Sequence, residues 1–327
     1  MKSILIRTFG GKGIGYGHFY RCLSLAKAVK LIDKDIDIIF LINQDLKGLL
    51  DNIGFNFIVS NNLKEDSEKI NRFGVNLFIF DAYLGDDRYL KTVKEKTKLM
   101  LIDDNNDIYD TSIPDIIYNG NIHAEKLGYS SDGNQLQLLG PKFLIMKEEY
   151  WNRGTNRNIS KNGILITTGG TDEYGISLRI LKQLKNLGSK IKVIIGPGYK
   201  DDYIKKFEDS VTDNIKLIYK PNSLKDHILS SKIVITAGGS TIYEVLSQKS
   251  IPIIFSLADN QDLICNELSN MGVKYLGKYP DINYLLLEGI IKELLDKGVN
   301  ENNKIYDLVD GKGAKLVAGR IVEEIYL

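Results

Sequence analysis

A chain of 327 residues, 43% of them hydrophobic, is too long for one ordinary open α/β domain and comfortable for two, each burying its own core. Its 43 lysines and arginines almost balance 42 aspartates and glutamates, so no basic field exists to hold nucleic acid or an anionic membrane surface, and a small-molecule partner is expected. The two cysteines, Cys22 and Cys265, lie far apart without C-x-x-C or Cys/His ligand spacing, which speaks against a disulfide framework and a zinc site and fits the cytoplasm.

The run from Lys2 to Arg7 has too few apolar residues for a signal-peptide core or a membrane span. From there, short β-rich runs alternate with helix-length segments: Ile4 to Ile6, Ile36 to Ile42, Phe55 to Val59, Leu77 to Phe80, Leu99 to Ile102 and Ile116 to Tyr118. That rhythm predicts βαβ units building a parallel sheet. Polar sequence follows at Ser130 to Asn134, and a second polar stretch from Asn152 to Asn162 is the expected linker. The rhythm then restarts with Gly163 to Thr168, Ile191 to Ile195, Ile215 to Ile218, Ile233 to Thr236 and Ile251 to Phe255. The fold class expected is therefore α/β, two doubly wound, Rossmann-like parallel-sheet domains in tandem facing a cleft, with the chemistry in the strand-to-helix loops.

The densest signal is the first such loop, Gly10 to Arg21, which contains Gly13, Gly15 and Gly17 ahead of a helix through Leu23, Leu25, Ala26 and Ala28. Glycines let backbone amides approach a ligand, and a helix N-terminus favours an anion. The spacing is G-x-G-x-G rather than G-x-G-x-x-G, and strand two ends in Asn43-Gln44 without a ribose-binding acid, which speaks against a nicotinamide cofactor. His18, one of three histidines, stands in this loop where an imidazole could accept a proton from water. A lone histidine usually caps or packs a helix; the glycine-rich setting turns the reading toward function.

In the first domain, Asp81-Ala82-Tyr83 and Asp103-Asp104 end strands four and five. These acids read as solvated strand ends, since no histidine lies close in sequence to complete a metal site. In the second domain, Thr168-Gly169-Gly170-Thr171-Asp172 follows the first strand and Ala237-Gly238-Gly239-Ser240-Thr241-Ile242-Tyr243-Glu244 the fourth. Their amides and hydroxyls suit a diphosphate at a helix N-terminus, and Glu244 could accept hydrogen bonds from ribose hydroxyls. Downstream, Ala258-Asp259-Asn260-Gln261 either caps a helix or presents amides to a sugar.

Taken in order, these motifs resemble the UDP-sugar hydrolase of the pseudaminic acid pathway and the related spore-coat polysaccharide proteins (the PseG/SpsG family), which are themselves similar to the peptidoglycan glycosyltransferase MurG and its GT-B fold. The segments that carry the resemblance are IGYGHFYRCLSLA (Ile14 to Ala26), DAY (Asp81 to Tyr83), IDD (Ile102 to Asp104), LLGPKFLIMKEEY (Leu138 to Tyr150), TTGGTD (Thr167 to Asp172), AGGSTIYE, ADNQ and LVDGKGAKLV (Leu308 to Val317). The resemblance implies that water attacks the anomeric carbon of a UDP-2,4-diacetamido-2,4,6-trideoxyhexose and releases UDP and the free sugar, with no cofactor and no required metal. It implies His18 as base, with Tyr83 and Asn260 at the sugar. It implies a nucleotide site at Gly169, Gly170, Thr171, Gly239, Ser240, Thr241 and Glu244, and sugar contacts from Gly15, Gly17, Arg21, Asn260 and Gln261.

It also implies domains over 1–151 and 162–312, with a final helix over 313–327 crossing back onto the first. The chain departs from the family pattern at Phe9, where an acid is common, and at Lys147-Glu148-Glu149-Tyr150, where an R-x-E-F type segment is usual; the latter exchanges a forked guanidinium for a point charge. The rival functions are a GT-B glycosyltransferase, in which His18 deprotonates an acceptor hydroxyl, and a catalytically silent nucleotide-sugar sensor or assembly subunit.

Overall fold

A computed structural model describes residues 2–11, 13–51, 53–129, 133–152, 159–297 and 304–327. Lys12 of the first glycine-rich loop, residues 130–132 of the first polar stretch and 153–158 of the expected linker lie outside these. The chain divides into two compact units, one made of Met1–Trp151 with Gly311–Leu327 and the other of Asn152–Asp310.

The first unit runs β1 (Ser3–Thr8), α1 (Gly17–Ile32), β2 (Asp37–Ile42), α2 (Lys47–Leu50), β3 (Asn56–Val59), α3 (Asp66–Phe73), β4 (Leu77–Asp81), α4 (Asp87–Lys94), β5 (Lys98–Ile102), β6 (Ile116–Asn119) and β7 (Leu136–Leu139). Its seven strands are ordered β3-β2-β1-β4-β5-β6-β7, and every pairing is parallel. All six residues of β1 are buried, as a strand covered by helices on both faces requires. Alternation sends Ile4 and Ile6 to a core shared with α1, and Leu5 to the opposite core with Phe78 and Leu99.

The same parity sends Arg7 into that second core, where it is fully buried. Its Nε lies 3.1 Å from Asp66 Oδ2, its Nη1 donates to Ser60 O at 2.6 Å, and its guanidinium lies 4.3 Å from the Phe9 ring centroid. Phe9, the first departure from the family pattern, is therefore packed beneath a buried ion pair.

The last helix, Gly313–Tyr326, returns to this unit and inserts Ala314, Val317, Ala318 and Ile321 into the α1 core. Its first residue must be small, because a Cβ on Gly313 would sit 2.2 Å from the Leu144 carbonyl oxygen.

The second unit runs β8 (Ile164–Thr167), α5 (Ile176–Leu184), β9 (Ile191–Ile195), α6 (Asp201–Glu208), β10 (Ile215–Tyr219), α7 (Lys225–Leu229), β11 (Ile233–Ala237), α8 (Thr241–Ser247), β12 (Ile251–Ser256), α9 (Asp259–Asn270), β13 (Lys274–Lys278) and α10 (Leu287–Lys297); the returning helix above is α11. Its six strands are ordered β10-β9-β8-β11-β12-β13, again all parallel. Both sheets thus have the doubly wound architecture of the GT-B fold. Each reverses its strand order once, between β1 and β4 in the first unit and between β8 and β11 in the second. The loops leaving those four strands flank the crevices where open sheets bind ligands. Among the described residues no helix is long and apolar enough to cross a membrane.

Candidate active site

The loop after β1 folds back on itself. Gly11 donates to Gly15 O at 3.0 Å, and Gly15 donates to Gly11 O at 2.9 Å. Gly11 has φ +118°, and a Cβ there would meet Asp45 Oδ2 at 2.2 Å, so only glycine fits. The turn delivers the chain into α1 at Gly17, and no side chain caps that helix. His18 therefore falls in the first turn of α1. Arg21 and Cys22 follow at i+3 and i+4, on the same helix face.

That face meets the ends of β4 and β5. Asp81 is fully buried and accepts from His18 Nδ1 at 2.6 Å, Arg21 Nη2 at 2.7 Å, Arg21 Nε at 3.0 Å and Cys22 Sγ at 3.4 Å. Asp104 accepts from Arg21 Nη1 at 2.7 Å, Tyr83 Oη at 2.6 Å and Asn121 Nδ2 at 3.2 Å. Arg21 thus grips two carboxylates at once, with four N–H···O contacts directed at them. The strand-end acids expected to be solvated instead form the floor of the site, Asp81 fully buried and Asp104 largely covered. Asp103 is buried as well, accepting from the Asn106 amide at 2.6 Å and from the Tyr129 hydroxyl. Burial lifts its carboxyl above the usual range.

Electrostatics fix the protons. Burial alone would push Asp81 toward its neutral form, but the guanidinium of Arg21 and the imidazole of His18 hold it well below the usual carboxylate range. Asp104 is opposed by burial in the same way and is likewise held low by Arg21. An ionised Asp81 can only accept, so His18 Nδ1 carries a proton, and in the neutral ring Nε2 presents the lone pair. Arg21 Nη2, 3.3 Å from Nδ1, has no lone pair left there to donate to. With His18 neutral, one cation faces two anions; a proton taken up at Nε2 brings the cluster to neutrality. The arrangement suits a general base.

Tyr83 stands edge-to-face against His18, with 4.8 Å between ring centroids. Partial burial of its hydroxyl end and the carboxylate of Asp104 raise its pKa, so the phenol keeps its proton. Burial and Asp81 likewise push the Cys22 thiol up, which rules out a thiolate nucleophile. Gly15 and Gly17 border the site with open space where a Cβ would project. Lys147, the second departure, places Nζ 6.0 Å from the Tyr20 ring centroid.

In the second unit, the two glycine-rich loops leave the strands at the sheet's reversal, but they are not equivalent. Asp172 closes the N-terminus of α5 with its own carboxylate, accepting from Ile176 N at 2.8 Å, Ser177 N at 2.9 Å and Tyr203 Oη at 2.6 Å. The anion expected at that helix end is already supplied by the chain. Gly169, Gly170 and Thr171 form the turn before it, and the Gly170 carbonyl accepts from Gly198 N at 2.9 Å.

The α8 loop is different. Gly239 has open space beside it, and Ser240 leads into Thr241 without a side-chain cap. Glu244 is buried in the first turn of α8. At the β12 exit, Asn260 is exposed in the first turn of α9. Gln261 Oε1 accepts from Leu257 N at 2.9 Å, so this residue closes the turn. Among the described residues no group of three or more His, Cys, Asp or Glu side chains is arranged to hold a metal ion.

No family model matches the chain. It is 25% identical over 262 residues to an uncharacterized protein of Methanocaldococcus jannaschii, covering 75% of this chain and 53% of that protein, so it spans about half the length of that relative. It is 24% identical over 286 residues to the UDP-2,4-diacetamido-2,4,6-trideoxy-β-L-altropyranose hydrolase of Campylobacter jejuni, covering 85% of this chain and the whole of that enzyme. Among solved structures it resembles MurG of Acinetobacter baumannii, with a TM-score of 0.69 at 13% identity, covering 99% of this chain and 100% of that one. The resemblance drawn from the motifs thus extends over most of the chain, and the MurG likeness shows a shared fold.

Proposed function

We propose that this chain is an enzyme that hydrolyses a UDP-linked amino sugar to UDP and the free sugar, with His18 activating the attacking water. The observation that carries this reading is the 2.6 Å contact between His18 Nδ1 and the buried carboxylate of Asp81, which leaves Nε2 as a proton acceptor. The similarity to the Campylobacter jejuni hydrolase, over 85% of this chain, supports the substrate class, a UDP-2,4-diacetamido-2,4,6-trideoxyhexose. On this reading the uridine diphosphate is held in the second unit by Gly239, Ser240, Thr241 and Glu244, with Gly169, Gly170 and Thr171 beside it, and Asn260 serves the sugar. The released sugar would enter nonulosonic acid or surface-polysaccharide synthesis in the cytoplasm. Arg21 already occupies both acids that would otherwise be free to bind a cation, so the mechanism calls for no metal.

A second reading, transfer of the sugar to an acceptor hydroxyl, draws support from the exposed apolar side chains near the base. Ile14, Tyr16, Tyr20 and Leu84 are between 40% and 47% exposed and suit a large or apolar acceptor. Incubating UDP-sugars with and without acceptor separates the two: free sugar formed in water alone supports hydrolysis, and UDP release that requires an added acceptor supports transfer.

A further inference from the structure

Tyr83 has a single hydroxyl proton, and Asp104 Oδ2 receives it at 2.6 Å. Asp104 is gripped by Arg21 through Oδ1 at 2.7 Å and Oδ2 at 3.2 Å, and an ionised carboxylate has no proton to return. The phenol oxygen is therefore left with lone pairs only. In the neutral imidazole His18 Nε2 is in the same condition, because the ring's one N–H is at Nδ1 and donates to Asp81. Two acceptor-only atoms thus belong to rings packed edge to face at 4.8 Å, and a single guanidinium fixes both supporting carboxylates.

We propose that Asp104, by accepting the Tyr83 hydroxyl hydrogen bond, makes Tyr83 the partner of His18 in a pair of acceptors for the two protons of one water molecule, and that this pair selects water over an alcohol as nucleophile. The inference rests on the hydrolase reading above. In the step it describes, the water oxygen bonds to the anomeric carbon while the bond from that carbon to the diphosphate oxygen breaks, its electron pair leaving with UDP. One water proton passes to His18 Nε2, and the other stays on the new anomeric hydroxyl, hydrogen-bonded to Tyr83 Oη. An alcohol has one O–H to give. Once His18 takes it, the alcohol's carbon must lie where the second water proton would be, against an oxygen that has nothing to donate. Polar sites discriminate strongly against a group that leaves their partners unpaired. Asp104 is in this account a positioning residue, acting through Tyr83.

The test is a partition experiment. The full chain, D104N, Y83F and the double variant are each given UDP-2,4-diacetamido-2,4,6-trideoxy-β-L-altropyranose in buffer with a fixed fraction of methanol, and free sugar and methyl glycoside are quantified by NMR. The wild type is expected to form methyl glycoside well below methanol's molar share. D104N and Y83F are each expected to raise that share about tenfold, and the double variant no further than either alone. Y83F leaves the Asp104–Arg21 pair in place, so it reports even if D104N folds poorly. An unchanged methyl glycoside share in Y83F and D104N overturns the proposal while leaving hydrolysis intact. Failure of the wild type to release any free sugar defeats the hydrolase reading itself, a different and recognisable result.

Discussion

His18 and Asp81 stand 63 positions apart in the chain and 2.6 Å apart in space, the histidine in the first turn of α1 and the aspartate at the last residue of β4. The contact exists because β1 and β4 are neighbours at the strand-order reversal, which brings the loop after each to one crevice. Asp81 is buried and yet ionised, and that combination has a thermodynamic consequence. Its carboxyl is held low in the folded state and titrates near 3.9 when unfolded, so below roughly pH 4 the unfolded chain binds the extra proton and folding loses stability as the pH falls. Thermal melts of the wild type are expected to drop steeply through that window and those of D81N to drop less. Parallel curves for the two proteins would mean that Asp81 is not held ionised.

A second buried pair works in the opposite sense. Arg7 and Asp66 are both fully buried, and Arg7 Nη2 and Asp66 Oδ1 have no hydrogen-bond partner among the described residues. Burial outweighs the guanidinium and pushes Asp66 up to about 6. The folded state therefore holds this proton where the unfolded chain has lost it, so the Asp66 contribution is fully present below the unfolded value and is lost as pH rises through about 6.

Removing one partner leaves an uncompensated buried charge or a starved donor. R7M or D66L alone is expected to cost about 3 to 5 kcal/mol, whereas the double variant should recover most of that loss. Urea melts decide it, and a double variant no better than the worse single variant would contradict the account.

Glu244 is buried in the first turn of α8, beside the open loop at Gly239 and Ser240. As an acceptor for ribose hydroxyls it should contribute about 1 to 3 kcal/mol, so E244A is expected to weaken UDP binding by that amount in calorimetry. An E244A protein that binds UDP as tightly as the wild type would move the nucleotide elsewhere.

Much of this architecture was legible because parallel strands covered on both faces have to be apolar throughout. Ile38 to Ile42 and Ile233 to Ile235 announce themselves that way. Strand β7, broken by Gln137, and β13, with Lys274 and Lys278 at its ends, are edge strands with mixed burial, and their composition hid them. At the site, the glycine-rich loop pointed to His18, but Asp81 and Asp104 read as solvent-facing acids.

What made them otherwise is Arg21, three residues after His18. Only the pairing of β4 with β1 on one side and β5 on the other brings its guanidinium between two carboxylates more than 20 residues apart in sequence. The i, i+3, i+4 spacing of His18, Arg21 and Cys22 was the available signal, and it gains meaning only once the face has a partner. In the Gly169 loop the sequence does not reveal that the Asp172 side chain turns back to cap α5, which only the hydrogen bonds to Ile176 N and Ser177 N show.

The central claim is tested most directly by following free sugar and UDP release from UDP-2,4-diacetamido-2,4,6-trideoxy-β-L-altropyranose in water, without acceptor, for the wild type and H18N. Asparagine keeps a polar side chain and the link toward Asp81 but has no lone pair basic enough to take a proton from water. Turnover is expected to fall about 100-fold or more while UDP affinity stays near that of the wild type. Near-normal turnover in H18N, or a loss of UDP binding as large as that of E244A, would contradict the assignment of His18 as the base.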